Sequence, residues 1–304
     1  MKRTHANLVL LLAGAVWGMG FVAQSTAMDD IGPFFFVAAR HAVAAVVVAP
    51  FAWAEHRKAA GTPISTIPIR QFLLIGLALF AGMSFQQIGL QTTTVTNSGF
   101  LTGLYVVFTP IIGIVLFRSW PHRVVWPAGL VAMIGIAMLS GGAVGGWGAG
   151  DSWTVASAVA WGLHVSLIGR FVGPSGRPLA LTFVQFVVTA ALAGVVAVAF
   201  ETISLSGLGG AGLEVLYAGT LASGLAFSLQ TVGQRYTTAP QAALFLSSEA
   251  PFAALFGAIV LSERIGVLGL LGCGLIFSAM IAVELIPNWG SRRDESPDVE
   301  LLTN

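Results

Sequence analysis

Apolar runs of roughly twenty residues, each long enough to cross a hydrocarbon core about 30 Å thick, follow one another along almost the whole chain. Short turns between them carry most of the charge. A chain of this kind can fold only if every backbone amide finds a partner within the protein, and for runs of this length that means helices. Charge content agrees: 9% of the 304 residues are Asp, Glu, Lys or Arg, against about 25% in soluble domains. The fold class predicted is an all-α integral membrane protein. The single cysteine, Cys273, excludes a disulfide or a cysteine metal site within one chain. Lys2 and Lys58 are the only lysines and neither follows a glycine, so the G-x-x-x-x-G-K-[ST] phosphate loop of an ATP motor is absent.

The spans predicted are 8–28, 33–53, 70–90, 97–117, 124–141, 152–171, 179–200, 212–232, 240–261 and 266–286. The first resembles a secretory leader, with Lys2 and Arg3 before it and Ser25-Thr26-Ala27 near its end, but its length suits a spanning helix. Ten transmembrane helices place both termini on one side. With that side cytoplasmic, twelve of the fourteen lysines and arginines fall on inner segments; Arg264 is outer and Arg40 lies within a span. This is the positive-inside pattern. Asp29, Asp30, Asp151, Glu201 and Glu263 fall in outer turns. GGAVGGWGAG, at 141–150, reads as a flexible connector rather than a nucleotide loop, and the charged stretch from Pro287 as a flexible cytoplasmic tail.

Shifting the chain by 144 or 145 positions aligns its halves. VWGMGFV (16–22) falls on AWGLHVS (160–166), PFFFVAAR (33–40) on PLALTFVQ (178–185), and SFQQIGLQTTT (84–94) on SLQTVGQRYTT (228–238). The organisation expected is a first five-helix repeat at 1–143, an outer connector at 144–151, a second repeat at 152–287 and a tail at 288–304. Five is an odd number, so the second repeat crosses the membrane in the opposite sense. Inverted repeats are the architecture of many secondary transporters.

WGMGFV, AARHAVAA, IGLQTTTVTNSGFLTGLYVVFTPIIG and APQAALFLSSEAPFAALFGAIVLSER resemble the drug/metabolite transporter superfamily, and within it the EamA-type group. The resemblance covers about residues 5–287. It implies a ten-helix carrier of the bacterial inner membrane that exports amino acids, other small metabolites or toxic compounds. Where the family often has Glu directly before Pro in its ninth helix, Ala250 here separates Glu249 from Pro251, so the resemblance carries no role over to Glu249.

Polar and aromatic residues at helical spacing supply the candidate site. Gly14, Trp17, Phe21 and Gln24 share one face of the first span; Ser157, Trp161 and His164 share one face of the sixth. The fourth offers Thr102, Tyr105 and Thr109, the eighth Ser223, Phe227 and Gln230, and Gln86 stands at the place matching Gln230. For any one of these, packing between helices or hydrogen bonding within the bundle is the competing account. Charges weigh more, because one at a helix centre costs about 2.5–3.5 kcal/mol on insertion scales. Glu249 lies nine residues after Pro240, about 14 Å deep, and Arg40 lies about 10 Å from the outer edge, so the two can pair. Glu284, near an inner end, can snorkel to water. Three roles fit Glu249: a proton site, a ligand for a cationic part of the cargo, or a static partner of Arg40 or of backbone amides.

The candidate substrate-binding set is therefore Trp17, Phe21, Gln24, Gln86, Tyr105, Trp161, His164, Gln230 and Glu249, with Glu249 and Arg40 as a coupling or charge pair. The function expected is a secondary-active exporter working by alternating access; an uncoupled facilitator or exchanger is the alternative. A membrane-embedded enzyme or lipid-handling protein is a third class, and H-E-x-x-H, which an intramembrane metal hydrolase would need, is absent. The partners expected are the lipid bilayer, a small-molecule substrate and protons as a candidate coupling ion. No cofactor, metal or nucleic acid is expected.

Overall fold

The computed structural model describes residues 1–58, 68–93, 95–139, 147–260 and 265–293. Residues 144–146 of the expected connector and 294–304 of the expected tail lie outside them. Among the described residues every regular element is helical. The first half holds α1 (Arg3–Gly18), α2 (Gly20–Thr26), α3 (Pro33–Lys58), α4 (Ile69–Leu90), α5 (Val95–Thr102), α6 (Tyr105–Phe117) and α7 (Val125–Leu139). The second holds α8 (Ala149–Ser175), α9 (Pro178–Phe200), α10 (Leu205–Gly210), α11 (Gly212–Tyr217), α12 (Ala226–Gln234), α13 (Ala239–Leu246), α14 (Glu249–Val260) and α15 (Val267–Arg293). A π-helical turn, Ala218–Leu225, joins α11 to α12.

Among the described residues, seven stretches are long and apolar enough to cross a membrane: α3, α4, Ser98–Phe117, α8, α9, Gly212–Gln234 and Val267–Ile286; α7 is a shorter apolar helix. Their outer faces carry bare apolar side chains such as Val195, Val198 and Leu213, as hydrocarbon requires. Two expectations change. The first, fourth and ninth spans are each two helices, broken at Met19, at Gly103–Leu104 and at Ser247–Ser248. The last helix runs on to Arg293, into the stretch expected to be a tail.

The bundle is held by long antiparallel pairs, α3 on α9, α4 on α8 and α7 on α15. The α3–α9 pair shows how its helix ends are satisfied. Both helices begin with proline, whose missing N–H is no loss at the first position; the next amides have no intrahelical acceptor. The Phe34 and Phe35 amides donate to the two carboxylate oxygens of Glu201, each at 2.8 Å, just past the end of α9. At the opposite end, the Leu179 and Ala180 amides donate to the carboxylate of Glu55, in the last turns of α3, at 3.1 and 2.9 Å. Each helix caps the other, once at each end of the pair. Arg177, just before α9, is also held there, its Nη1 donating to His56 Nδ1 at 2.9 Å.

Replacing Glu201 by Ala leaves two amides unpartnered and should cost roughly 1–2 kcal/mol, the range of a strong lost cap. Glu55→Ala should cost a similar amount. The two caps are about 30 Å apart along α3, so their effects should add. In thermal unfolding of the detergent-solubilised protein, the double variant should fall by the sum of the single shifts; a double no less stable than either single would show that the caps are not independent.

Candidate functional site

Four backbone irregularities meet at one place in the bundle. The α13–α14 break has a local cause: Pro251 has no N–H to offer the Ser247 carbonyl, and the Ser247 hydroxyl bonds back to the Leu244 carbonyl at 2.7 Å. The α5–α6 break falls at Gly103–Leu104, where glycine weakens the helix. The two breaks lie 144 positions apart, at the offset that superposes the halves. The other two irregularities, the α1–α2 break and the π turn before α12, have no counterpart, since α8 and α4 run unbroken through the matching positions. They touch each other instead: the Trp17 indole donates to the Ala222 carbonyl at 2.7 Å.

The repeated Trp-Gly pair reads the same way in both halves. An added Cβ at Gly18 would lie 2.7 Å from the Ala253 nitrogen and 2.9 Å from the Glu249 carbonyl oxygen, both in α14. One at Gly162 would lie 2.9 Å from Phe108 Cβ and 3.2 Å from the Thr109 nitrogen, in α6. Residues 252–253 and 108–109 correspond at the same offset, so each glycine seats its helix on the second piece of the other half's broken helix. The tryptophans before them, Trp17 and Trp161, come together with ring centroids 6.4 Å apart, and both pack on Phe227.

Between these elements lies a cavity of about 40 Å³, room for about three water molecules and too small for an organic solute. Trp17, Gln24, Arg40, Gln86, Tyr105, Trp161, Gln230 and Glu249 are among the residues that line it. Seven of the nine sequence-predicted binding residues, and Arg40, thus meet on one surface. Phe21 lies in α2, but its side chain is outside the described part of the structure. His164 is not on the cavity: it sits behind Trp161 and Phe227 and bonds Gln185 Oε1 at 2.8 Å, because the α8 face that carries both residues turns only Trp161 inward.

Arg40 and Glu249 are not joined as an ion pair. Arg40 is buried, its Nε donating to Ser223 Oγ at 3.1 Å and its guanidinium lying 5.5 Å from the Phe36 ring centre. Glu249 opens α14, at the positive end of that half-helix dipole, and lines the cavity together with Tyr105. Around the cavity, Gln24 Oε1, Arg40 Nη1, Tyr105 OH, Trp161 Nε1 and both amide atoms of Gln230 are buried without a hydrogen-bond partner among the described residues. Gln86 is engaged, donating to Thr102 Oγ1 at 3.1 Å. Since more than 90% of buried polar groups are ordinarily bonded, such a cluster sets this cavity apart from the packed interior around it.

About one helical turn away, beyond a contact between the Ser166 hydroxyl and the Thr109 carbonyl (3.1 Å), opens a larger space of about 480 Å³, lined among others by Thr109, Ser166, Arg170 and Gln241. At its rim, Glu284 does not snorkel alone. It accepts from Asn7 at 2.6 Å, Gln241 at 2.8 Å and Thr4 at 3.2 Å, and lies 3.5 Å from Arg3 Nε. This network ties α1, α13 and α15 and was not anticipated from the sequence. Four of the five residues are strongly polar or charged (Arg3, Asn7, Gln241 and Glu284), and all five sit at span ends, where they read as solvated.

Interrupted helices around a small polar cavity, inside an apolar bundle, define a multi-pass membrane transporter. The profile of the EamA-like transporter family matches residues 4–141 and again 148–285, and the chain belongs to that family. A protein of Archaeoglobus fulgidus described as an uncharacterized transporter is 32% identical over 289 residues, 94% of this chain and 87% of that one. A WAT1-related protein of Arabidopsis thaliana is 24% identical over 325 residues, 93% of this chain and 84% of that one. A crystal structure at 17% identity superposes with a TM-score of 0.77, covering 94% of this chain and 99% of the other, and shows the shared fold.

Alanine is ordinarily about 1 kcal/mol better than glycine in a helix. Gly18→Ala and Gly162→Ala should nevertheless each lower the thermal midpoint, because the added methyl meets backbone that cannot yield and overpacking costs about 1–3 kcal/mol. Gly274→Ala, where nothing lies within 4 Å of the added Cβ, should hold or raise it. A rise in all three would refute the close seating.

Proposed function

We propose that the protein is a secondary-active carrier of the bacterial inner membrane that exports a small organic metabolite or amino acid by alternating access. In this reading ten spans form two inverted five-helix repeats with both termini cytoplasmic. The observation that carries it is the set of unpartnered buried polar atoms around the central cavity, with Arg40 and Glu249 on the same surface and unpaired. Opposite charges held apart among tryptophan and tyrosine rings suit a zwitterion, whose carboxylate would meet Arg40 and whose ammonium would meet Glu249. The small volume of the cavity means that cargo enters only as the half-helices part. The larger space beyond Thr109 and Ser166 lies on the side that the charge pattern makes cytoplasmic and supplies the entry route. Repeat matching at the breaks and at the Trp-Gly pairs supports halves that rock against each other.

The test is uptake of a radiolabelled amino-acid panel into inverted membrane vesicles, with and without an imposed pH gradient. Saturable accumulation of at least one solute is expected, and Glu249→Gln should slow it at least tenfold, since a lost charge contact in a site of this kind costs about 1.4 kcal/mol or more. Accumulation that needs the gradient assigns proton coupling; equilibration without it assigns a facilitator. A Glu249→Gln carrier with wild-type rate and unchanged pH dependence would remove Glu249 from both cargo and proton binding. No accumulation or exchange of any metabolite class would sink the carrier reading.

A further inference from the structure

We propose that a second site, a groove at the end of the α3–α9 pair away from Glu201, binds the phosphate headgroup of an anionic membrane phospholipid. The groove, of about 480 Å³, is lined by Phe51, Glu55 and Lys58 of α3, by Arg177 and Leu179 at the start of α9, and by Arg235 just after α12. Three cations thus face one carboxylate, and Glu55 is already engaged by the amides of Leu179 and Ala180. Arg177 is buried at 6% exposure, with no carboxylate at ion-pair distance among the described residues; its Nη1 is held by His56. A buried guanidinium fixed by an imidazole rather than an acid is left to take an anion from outside.

The depth of the walls selects an amphiphile. Lys58, Arg177 and Arg235 all stand at helix ends, the level of headgroups. Phe51 lies seven residues earlier in α3, about 10 Å deeper, and is 59% exposed on the lipid-facing surface. A phospholipid places phosphate against the cations and acyl chain against Phe51; a free phosphate would use the first and leave the second idle. Basic pockets between helices at a membrane face hold anionic headgroups for this reason. The site is remote from the central cavity, and the proposal does not depend on what the carrier transports.

Protein purified in neutral detergent is titrated with phosphatidylglycerol or phosphatidylcholine, and bound lipid is counted by native mass spectrometry; a parallel arm adds inorganic phosphate. Phosphatidylglycerol should be retained over phosphatidylcholine. Each basic side chain near an anionic headgroup is worth a factor of about five, so Lys58→Gln/Arg235→Gln, two exposed side chains, should lower that preference roughly twentyfivefold. Lys58→Gln alone, at about fivefold, gives the same reading if the double variant is not recovered. Equal binding of the two lipids by the wild type, or an unchanged preference in the variants, overturns the proposal. Displacement of the lipid by an equal concentration of inorganic phosphate overturns it in favour of a free-anion site.

Discussion

Where helix ends pack against one another at a membrane face and shield their amides from water, each first-turn amide must find its acceptor in the protein. The α3–α9 pair meets this demand by exchange: Glu201 takes two amides of α3, and Glu55 takes two of α9. The arrangement requires the helices to run antiparallel and in register, because a shift by one turn would pull each carboxylate off its amides. One helix comes from each half of the chain, so the exchange clamps the halves together at both ends of their longest contact. Carboxylates are well suited to the task, since each presents two oxygens to adjacent N–H groups and lies at the positive end of a helix dipole.

With that pair fixed, the irregular helices can lie elsewhere, and they gather around the cavity. Gly18 rests on α14 and Gly162 on α6, so the second piece of each broken helix is gripped by the opposite half. The symmetry stops at one wall. There the break after Gly18 and the π turn at Ala218–Leu225 meet through the Trp17–Ala222 bond, and neither has a match in the other half. π turns inside helices are frequent at functional sites; this one also presents Ser223 to Arg40. The wall that departs from the repeat therefore holds the buried cation in place.

Much of this was legible in the sequence. Spans are set by apolar length, and the Trp-Gly match announced the repeat. Glu249 stood out because a charge in an apolar run needs a reason. Where a span breaks is harder to see, because a run of apolar residues looks the same whether or not the helix is continuous; only the Ser-Ser-Glu-Ala-Pro string at 247–251 carried a local signal. His164 was grouped with Trp161 by spacing alone, and spacing cannot say that the cavity occupies one side of a helix packed on all sides. Glu55 and Glu201 were passed over because a glutamate at a span end reads as solvated, while the amides it serves lie 124 to 167 positions away. Such pairings belong to the tertiary fold and leave no periodic trace.

Tyr105 and Glu249 bring these strands together. They stand 144 positions apart, each the first residue of the second piece of a broken helix, and both line the cavity. The repeat thus delivers two equivalent helix N-termini to one small space, each with partial positive charge. At one of them the sequence puts a carboxylate, which that charge favours; at the other it puts a phenol, which stays neutral and can donate a hydrogen bond. Two carboxylates there would repel across the cavity, and two phenols would leave Arg40 as the only full charge facing it. One of each keeps an acid and a base in the same cavity without pairing them, because Arg40 is held back by Ser223 and Phe36. The physical consequence is a cavity whose scaffold is two-fold but whose electrostatics are not, a field that would give the cargo proposed above one orientation rather than two. On the proposed alternating-access reading, a ligand with distinct charged ends would keep that orientation as the halves move, so a symmetric scaffold could still handle an asymmetric cargo.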